Sequence, residues 1–106
     1  MAQGFTSALT LSISLATSDV ATGTLPSPTT SSSEILAANS NRKGGWVTNI
    51  GDVIVYIGLG YTAVTNKPVR LLPGETLYLT TPSVKFTGAV NAITASGTGS
   101  LEVVEL

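Results

Sequence analysis

From Ser33 to Leu106 the chain never runs far without a turn residue, and this punctuation limits its possible folds more than any other feature. Gly, Pro, Asn and Asp cut it into short segments rich in Val, Ile, Leu, Tyr and Thr, the residues that suit a pleated, half-buried surface. The segments are Glu34–Ala38, Trp46–Ile50, Val53–Leu59, Val69–Leu72, Glu75–Thr80, Val84–Phe86, Ala89–Ala95 and Leu101–Leu106. None carries helical periodicity over three turns. Their length and spacing predict an all-β fold, a small antiparallel β-sandwich or jelly-roll-like barrel. Within it, Gly51-Asp52 predicts a two-residue hairpin between Trp46–Ile50 and Val53–Leu59. Pro73-Gly74 predicts a type II turn, because Pro presets φ and Gly accepts φ > 0, with Glu75–Thr80 as the returning strand. The run Val53-Ile54-Val55-Tyr56-Ile57 is apolar on both faces and is expected to be covered on both. Glu102 and Glu105 fall on opposite faces of the last strand, which places its outer face near an edge or an interface rim.

The N-terminal part reads differently. Leu9, Leu11, Ile13 and Leu15 alternate with Thr10, Ser12, Ser14 and Ala16, the period-2 signature of a strand with one face to bury. From Ala16 to Ser33 the composition turns to Ser, Thr, Pro and Gly, with Pro26 and Pro28 bracketing Ser27, which predicts an extended linker. The expected organisation is therefore an extended N-terminal arm and linker over 1–32 and a β-sandwich domain over 33–106. An amphipathic strand on a tether can return to its own domain or cross to a neighbour. Leu9, Leu11, Ile13 and Leu15 are expected at an interface, paired by β-augmentation. Trp46, which follows Gly44-Gly45, is expected in the core or at the same kind of interface.

Composition narrows the function. Among 106 residues there are five Lys plus Arg, six Asp plus Glu, no His and no Cys, for a net charge of -1. The missing imidazoles and thiols remove general bases, thiol nucleophiles, disulfides and the usual zinc, haem and iron–sulfur ligands together. Neither enzymatic activity nor a cofactor or metal is expected. A nucleic-acid partner is disfavoured because phosphate binding scales with clustered Lys and Arg, and Arg42-Lys43 is the only adjacent basic pair. No stretch approaches the apolar length of a membrane-spanning helix, and no basic residue precedes Arg42 as a signal peptide would require. Charged residues make up only 10% of the chain, so the sixteen Thr and twelve Ser must supply most of the polar surface. A surface so poor in ions has little protection against association, and homo-oligomerisation is expected.

Few constellations suggest chemistry. Gly58-Leu59-Gly60-Tyr61-Thr62-Ala63 fits G-x-G-x-x-A after a strand, but Val64 to Pro68 cannot start the helix that would receive a pyrophosphate. These glycines are read as a bulge or turn. The acidic residues Asp19, Glu34, Asp52, Glu75, Glu102 and Glu105 stand singly, and no serine sits in a G-x-S-x-G elbow. Of the aromatic residues, Tyr61 in the loop after Gly60 is the candidate ligand-binding residue, able to stack on a sugar. Its plainer role is a loop anchor with a wet hydroxyl.

Taken in order, Ile35-Leu36-Ala37-Ala38-Asn39, Asn41-Arg42-Lys43-Gly44, Val55-Tyr56-Ile57-Gly58-Leu59-Gly60, Leu72-Pro73-Gly74-Glu75-Thr76, Phe86-Thr87-Gly88-Ala89-Val90 and the closing Val103-Val104-Glu105-Leu106 make an ordered set. The set resembles that of small β-rich virion proteins of tailed bacteriophages. The resemblance spans residues 34 to 106 and is specific as an order, each piece being weak alone. It implies a non-enzymatic capsid decoration (cement) protein on the virion surface, with the major capsid protein and further copies of itself as partners. The alternative is a host-receptor or glycan-binding module of a tail tip or head fibre.

Overall fold

The computed structural model describes residues 21–65 and 69–106. It has eight strands: β1 (Thr22–Thr24), β2 (Ser33–Leu36), β3 (Gly45–Asn49), β4 (Val55–Leu59), β5 (Arg70–Leu71), β6 (Thr76–Tyr78), β7 (Val90–Thr94) and β8 (Leu101–Glu105). They form two antiparallel four-stranded sheets, ordered β1-β8-β3-β6 and β2-β7-β4-β5. The pairs β1·β8, β2·β7, β3·β6 and β4·β5 are nested, as if one long hairpin with β4 and β5 as its innermost pair had been folded back on itself. Rolling that hairpin lays β8 beside β3 and β7 beside β4. This is the winding of a jelly roll, the second form of the all-β fold expected from the sequence.

The core lies between the sheets. Val47, Leu101 and Val103 from one sheet meet Val55, Ile57, Leu71, Val90 and Ala92 from the other, all buried, with Leu79 joining them. In β3, β7 and β8 alternate residues point inward, the period of two that a one-sided sheet requires. Among the described residues ten apolar residues are buried, a modest core, each Val, Leu or Ile side chain contributing about 1.5–3 kcal/mol.

Three local expectations change. First, Gly51-Asp52 does not close a hairpin, because β3 and β4 belong to different sheets. The buried Asn49 explains why: its Oδ1 accepts from Gly51 N at 3.0 Å, while its Nδ2 donates to Val53 O and Leu71 O, each at 2.8 Å. That side chain satisfies the backbone of the corner and carries the chain across the sandwich. Similarly, the turn at Pro73-Gly74 has the expected geometry, with Glu75 N donating to Leu72 O at 2.9 Å and Gly74 at φ 87°. It nevertheless leads from β5 in one sheet to β6 in the other, as Gly97-Thr98-Gly99 leads from β7 to β8.

Second, the stretch expected as a loose linker is, from residue 21, part of the sandwich. Thr22–Thr24 pairs with β8. The carbonyls of Pro26, Pro28 and Thr29 then accept from Leu101, Gly99 and Thr94 at 3.0, 2.8 and 2.9 Å, and Pro28 is buried. Proline offers only an acceptor, which suits a sheet edge that receives hydrogen bonds. The wound fold thus begins before the boundary expected after residue 32.

Third, β8 lies inside its sheet, flanked by β1 and β3, and not at an edge. Glu105 is on its inner face because Arg42 neutralises it there. Ile54 and Tyr56, expected beneath a second layer, are half-buried, and no further strand layer covers that sheet among the described residues.

Candidate interaction surface

The feature that organises this end of the sandwich is a fully buried cation. Arg42 is 0% exposed. Its Nε donates to Glu105 Oε2 at 2.7 Å, Nη1 donates to Phe86 O and Gly88 O at 2.9 and 3.0 Å, and Nη2 donates to Ala37 O at 2.7 Å. Asn39 Nδ2 adds a contact to the same Glu105 oxygen at 3.3 Å. A planar fork of five donors can bind a carboxylate and several carbonyls at once, which an ammonium cannot. Four separate segments of the chain, around Ala37, Arg42, Phe86–Gly88 and Glu105, therefore meet at one guanidinium. Two others also serve the fold. In Val55–Gly60 a Cβ on Gly58 would collide with the backbone of Tyr61 and Ala63. In Leu72–Thr76 the Glu75 carboxylate caps Leu72 N at 2.7 Å.

The outer face of the β1-β8-β3-β6 sheet is the surface this scaffold presents. Strand register sets Gly23, Val104, Trp46 and Tyr78 in one row across its four strands. Glu102, Thr48 and Thr76 form the next row. Trp46 is half-buried and Tyr78 is 64% exposed. Their ring centroids are 6.5 Å apart and the planes are inclined at 55°, within the range of favourable aromatic pairs. The Thr48 and Thr76 hydroxyls share a hydrogen bond of 2.8 Å. The core-or-interface expectation for Trp46 thus resolves to a half-buried place on an open sheet face.

Tyr61 stands elsewhere, in the loop after β4, 44% exposed. Its backbone carbonyl accepts from Asn91 Nδ2 at 2.8 Å, and no ring partner accompanies it among the described residues. Leu9, Leu11, Ile13 and Leu15 lie outside the described residues. Tyr78, which completes the aromatic pair, was missed in the sequence because only strand register brings it beside Trp46. The depressions are shallow and open: one of about 320 Å³ lies at the open side of the sandwich against Arg70, Leu71, Glu75 and Leu77, and one of about 250 Å³ lies beside Ile54, Tyr56 and Ala95. Among the described residues no group of three His, Cys, Asp or Glu is placed to hold a metal, and no helix is long and apolar enough to cross a membrane.

The fold and this face define a jelly-roll sandwich with an aromatic pair on an outer sheet face that no strand covers among the described residues. The chain matches no protein-family model, and no curated protein or solved structure matches it.

Proposed function

We propose that this protein is a non-enzymatic structural component of a tailed-phage virion, a decoration protein that binds the major capsid protein and further copies of itself on the shell. The observation that carries the reading is the jelly-roll scaffold with so few charges, its Arg42 held inside the fold. Such a domain offers contact surface in place of reactive groups. Jelly rolls recur in capsid and lectin domains, although fold alone never fixes function. The ordered motif resemblance supplies the virion context. Repetition on a lattice makes individually weak contacts effective.

On this reading the alternating Leu9, Leu11, Ile13 and Leu15 supply the contact with a neighbour by adding a strand to its sheet. The test uses the full chain with all four replaced by serine. Wild-type protein rebinds to shells that lack it and raises their resistance to heat. The quadruple variant keeps the wild-type unfolding midpoint and loses rebinding. Unchanged rebinding by that variant refutes the role of the segment, and failure of the wild type to bind shells refutes the virion reading.

A further inference from the structure

We infer that the outer face of the β1-β8-β3-β6 sheet is a binding site for a neutral glycan, with Trp46 and Tyr78 as its stacking platform. Such a site is additional to the virion role and independent of it.

Three observations lead there. The first is the ring pair. Tyr78 is 64% exposed and stands 6.5 Å from Trp46, centroid to centroid. A pyranose presents a patch of C–H bonds on its face, and such a patch packs on the electron-rich face of an aromatic ring. The pair sits on two neighbouring strands, in register, so the backbone holds its spacing. An aromatic platform on a sheet loses little conformational entropy when it binds, as both side chains have only two rotatable χ angles.

The second observation is the polar row beside the rings. Thr48 and Thr76 lie one row along from Trp46 and Tyr78, and Glu102 faces Thr48 across the strand. The hydroxyl pair and the carboxylate can accept from, and in the threonines donate to, sugar hydroxyls. Glu102 is the sole ionic residue in these two rows, with no Lys or Arg in them. Two rows with one carboxylate and no cation favour an uncharged polyol over phosphate, sulfate or an acidic sugar.

The third is size. Strands of three, five, five and three residues, at ~4.8 Å spacing and ~3.4 Å per residue, give a strand-built face of about 260 Å² in projection. That is below the roughly 800 Å² that each partner contributes to a stable protein interface, which argues against a second copy of the chain as occupant. It is enough for a short oligosaccharide lying across the strands. The site is open and shallow, so its affinity belongs to the weak range in which many copies act together.

The test is a calorimetric titration of the intact protein with maltohexaose, cellohexaose, laminarihexaose, mannohexaose and chitohexaose. At least one of them binds, and Tyr78→Ala weakens that binding about tenfold. Tyr78 is an exposed edge residue, so this variant keeps the fold; an unchanged urea midpoint verifies it. Trp46→Ala abolishes binding, and Trp46→Phe restores part of it, as stacking requires and a purely structural role does not. Tyr61→Ala, in the other aromatic position, leaves affinity unchanged. Absence of binding to all five sugars overturns the assignment. So does binding that survives Tyr78→Ala, or concentration-dependent dimerisation lost in Tyr78→Ala, which assigns the face to a second copy.

Discussion

Replacing Arg42 by methionine removes a cation that touches four segments of the chain at once. The substitution keeps much of the apolar stem but leaves the Phe86, Gly88 and Ala37 carbonyls without the donors they have at 2.9, 3.0 and 2.7 Å. It also strips Glu105, whose side chain is 20% exposed, of its counter-ion at 2.7 Å. Breaking one partner of a buried ion pair costs about 3–5 kcal/mol. The partial exposure of Glu105 lets water solvate the orphaned carboxylate, so the lower half of that range, about 3 kcal/mol, applies. A total stability of roughly 5–15 kcal/mol makes that a large share. At about 4–5 °C per kcal/mol for a domain of this size, the midpoint of thermal unfolding falls by roughly 12–15 °C. The assay is built in: Trp46 is the only tryptophan in the chain, and its fluorescence follows urea unfolding. With a slope of about 1–3 kcal/mol/M, the urea midpoint moves down by at least about 1 M. Arg42→Lys recovers only part of the loss, since an ammonium cannot reproduce the planar fork. A loss below about 1 kcal/mol in Arg42→Met would show that the carbonyls and Glu105 find other partners and that the guanidinium does not hold this end of the sandwich together.

Asn49→Ala, which removes two donors and one acceptor at the corner between β3 and β4, destabilises by about 2–3 kcal/mol in the same urea assay; an effect within 0.5 kcal/mol, the scatter of ordinary surface changes, contradicts the corner role. Gly58→Ala and Gly74→Ala separate two reasons for glycine. The first places a methyl about 2.9 Å from Ala63 N and against the Tyr61 carbonyl, and costs more than ~2 kcal/mol or abolishes folding. The second meets nothing within 4 Å at φ +87°, so only backbone strain of about 1–2 kcal/mol appears; equal losses at the two positions refute the distinction. Finally, removal of residues 1–20 leaves the unfolding midpoint within a few degrees of wild type, whereas removal of 1–30 lowers it sharply because β1 and the Pro26–Thr29 acceptors go with it.

Much of the strand content was readable because each inward-facing run obeys a period of two, as in Gly45–Asn49 and Leu101–Glu105. Turn chemistry was readable too, where one residue type is required, as at Gly74. Pairing was not. Gly51-Asp52 has the composition of a hairpin, and nothing local reveals that the Asn49 amide will bridge to Leu71, twenty-two positions away. The Ser/Thr/Pro stretch reads as linker because its own composition cannot build a core. Its order comes from donors on Thr94, Gly99 and Leu101, far along the chain. Likewise nothing in the sequence joins Arg42 to Glu105, since sixty-three positions separate them and only the wound topology brings them together. Trp46 could be singled out in the sequence, but its companion Tyr78 depends on the β3·β6 register.

Because β8 is threaded between β1 and β3, synthesis and folding cannot proceed in step. A ribosome that has released everything up to Ser100 has delivered seven strands of which two, β1 and β3, still lack the neighbour that lies between them. Glu105, the counter-ion for the interior guanidinium, arrives with the same strand. The nascent polypeptide must therefore wait, exposing aliphatic strands, until β8 emerges. Distant pairings of this kind close slowly, in milliseconds to seconds, and any cut within β8 is expected to cost the whole sandwich.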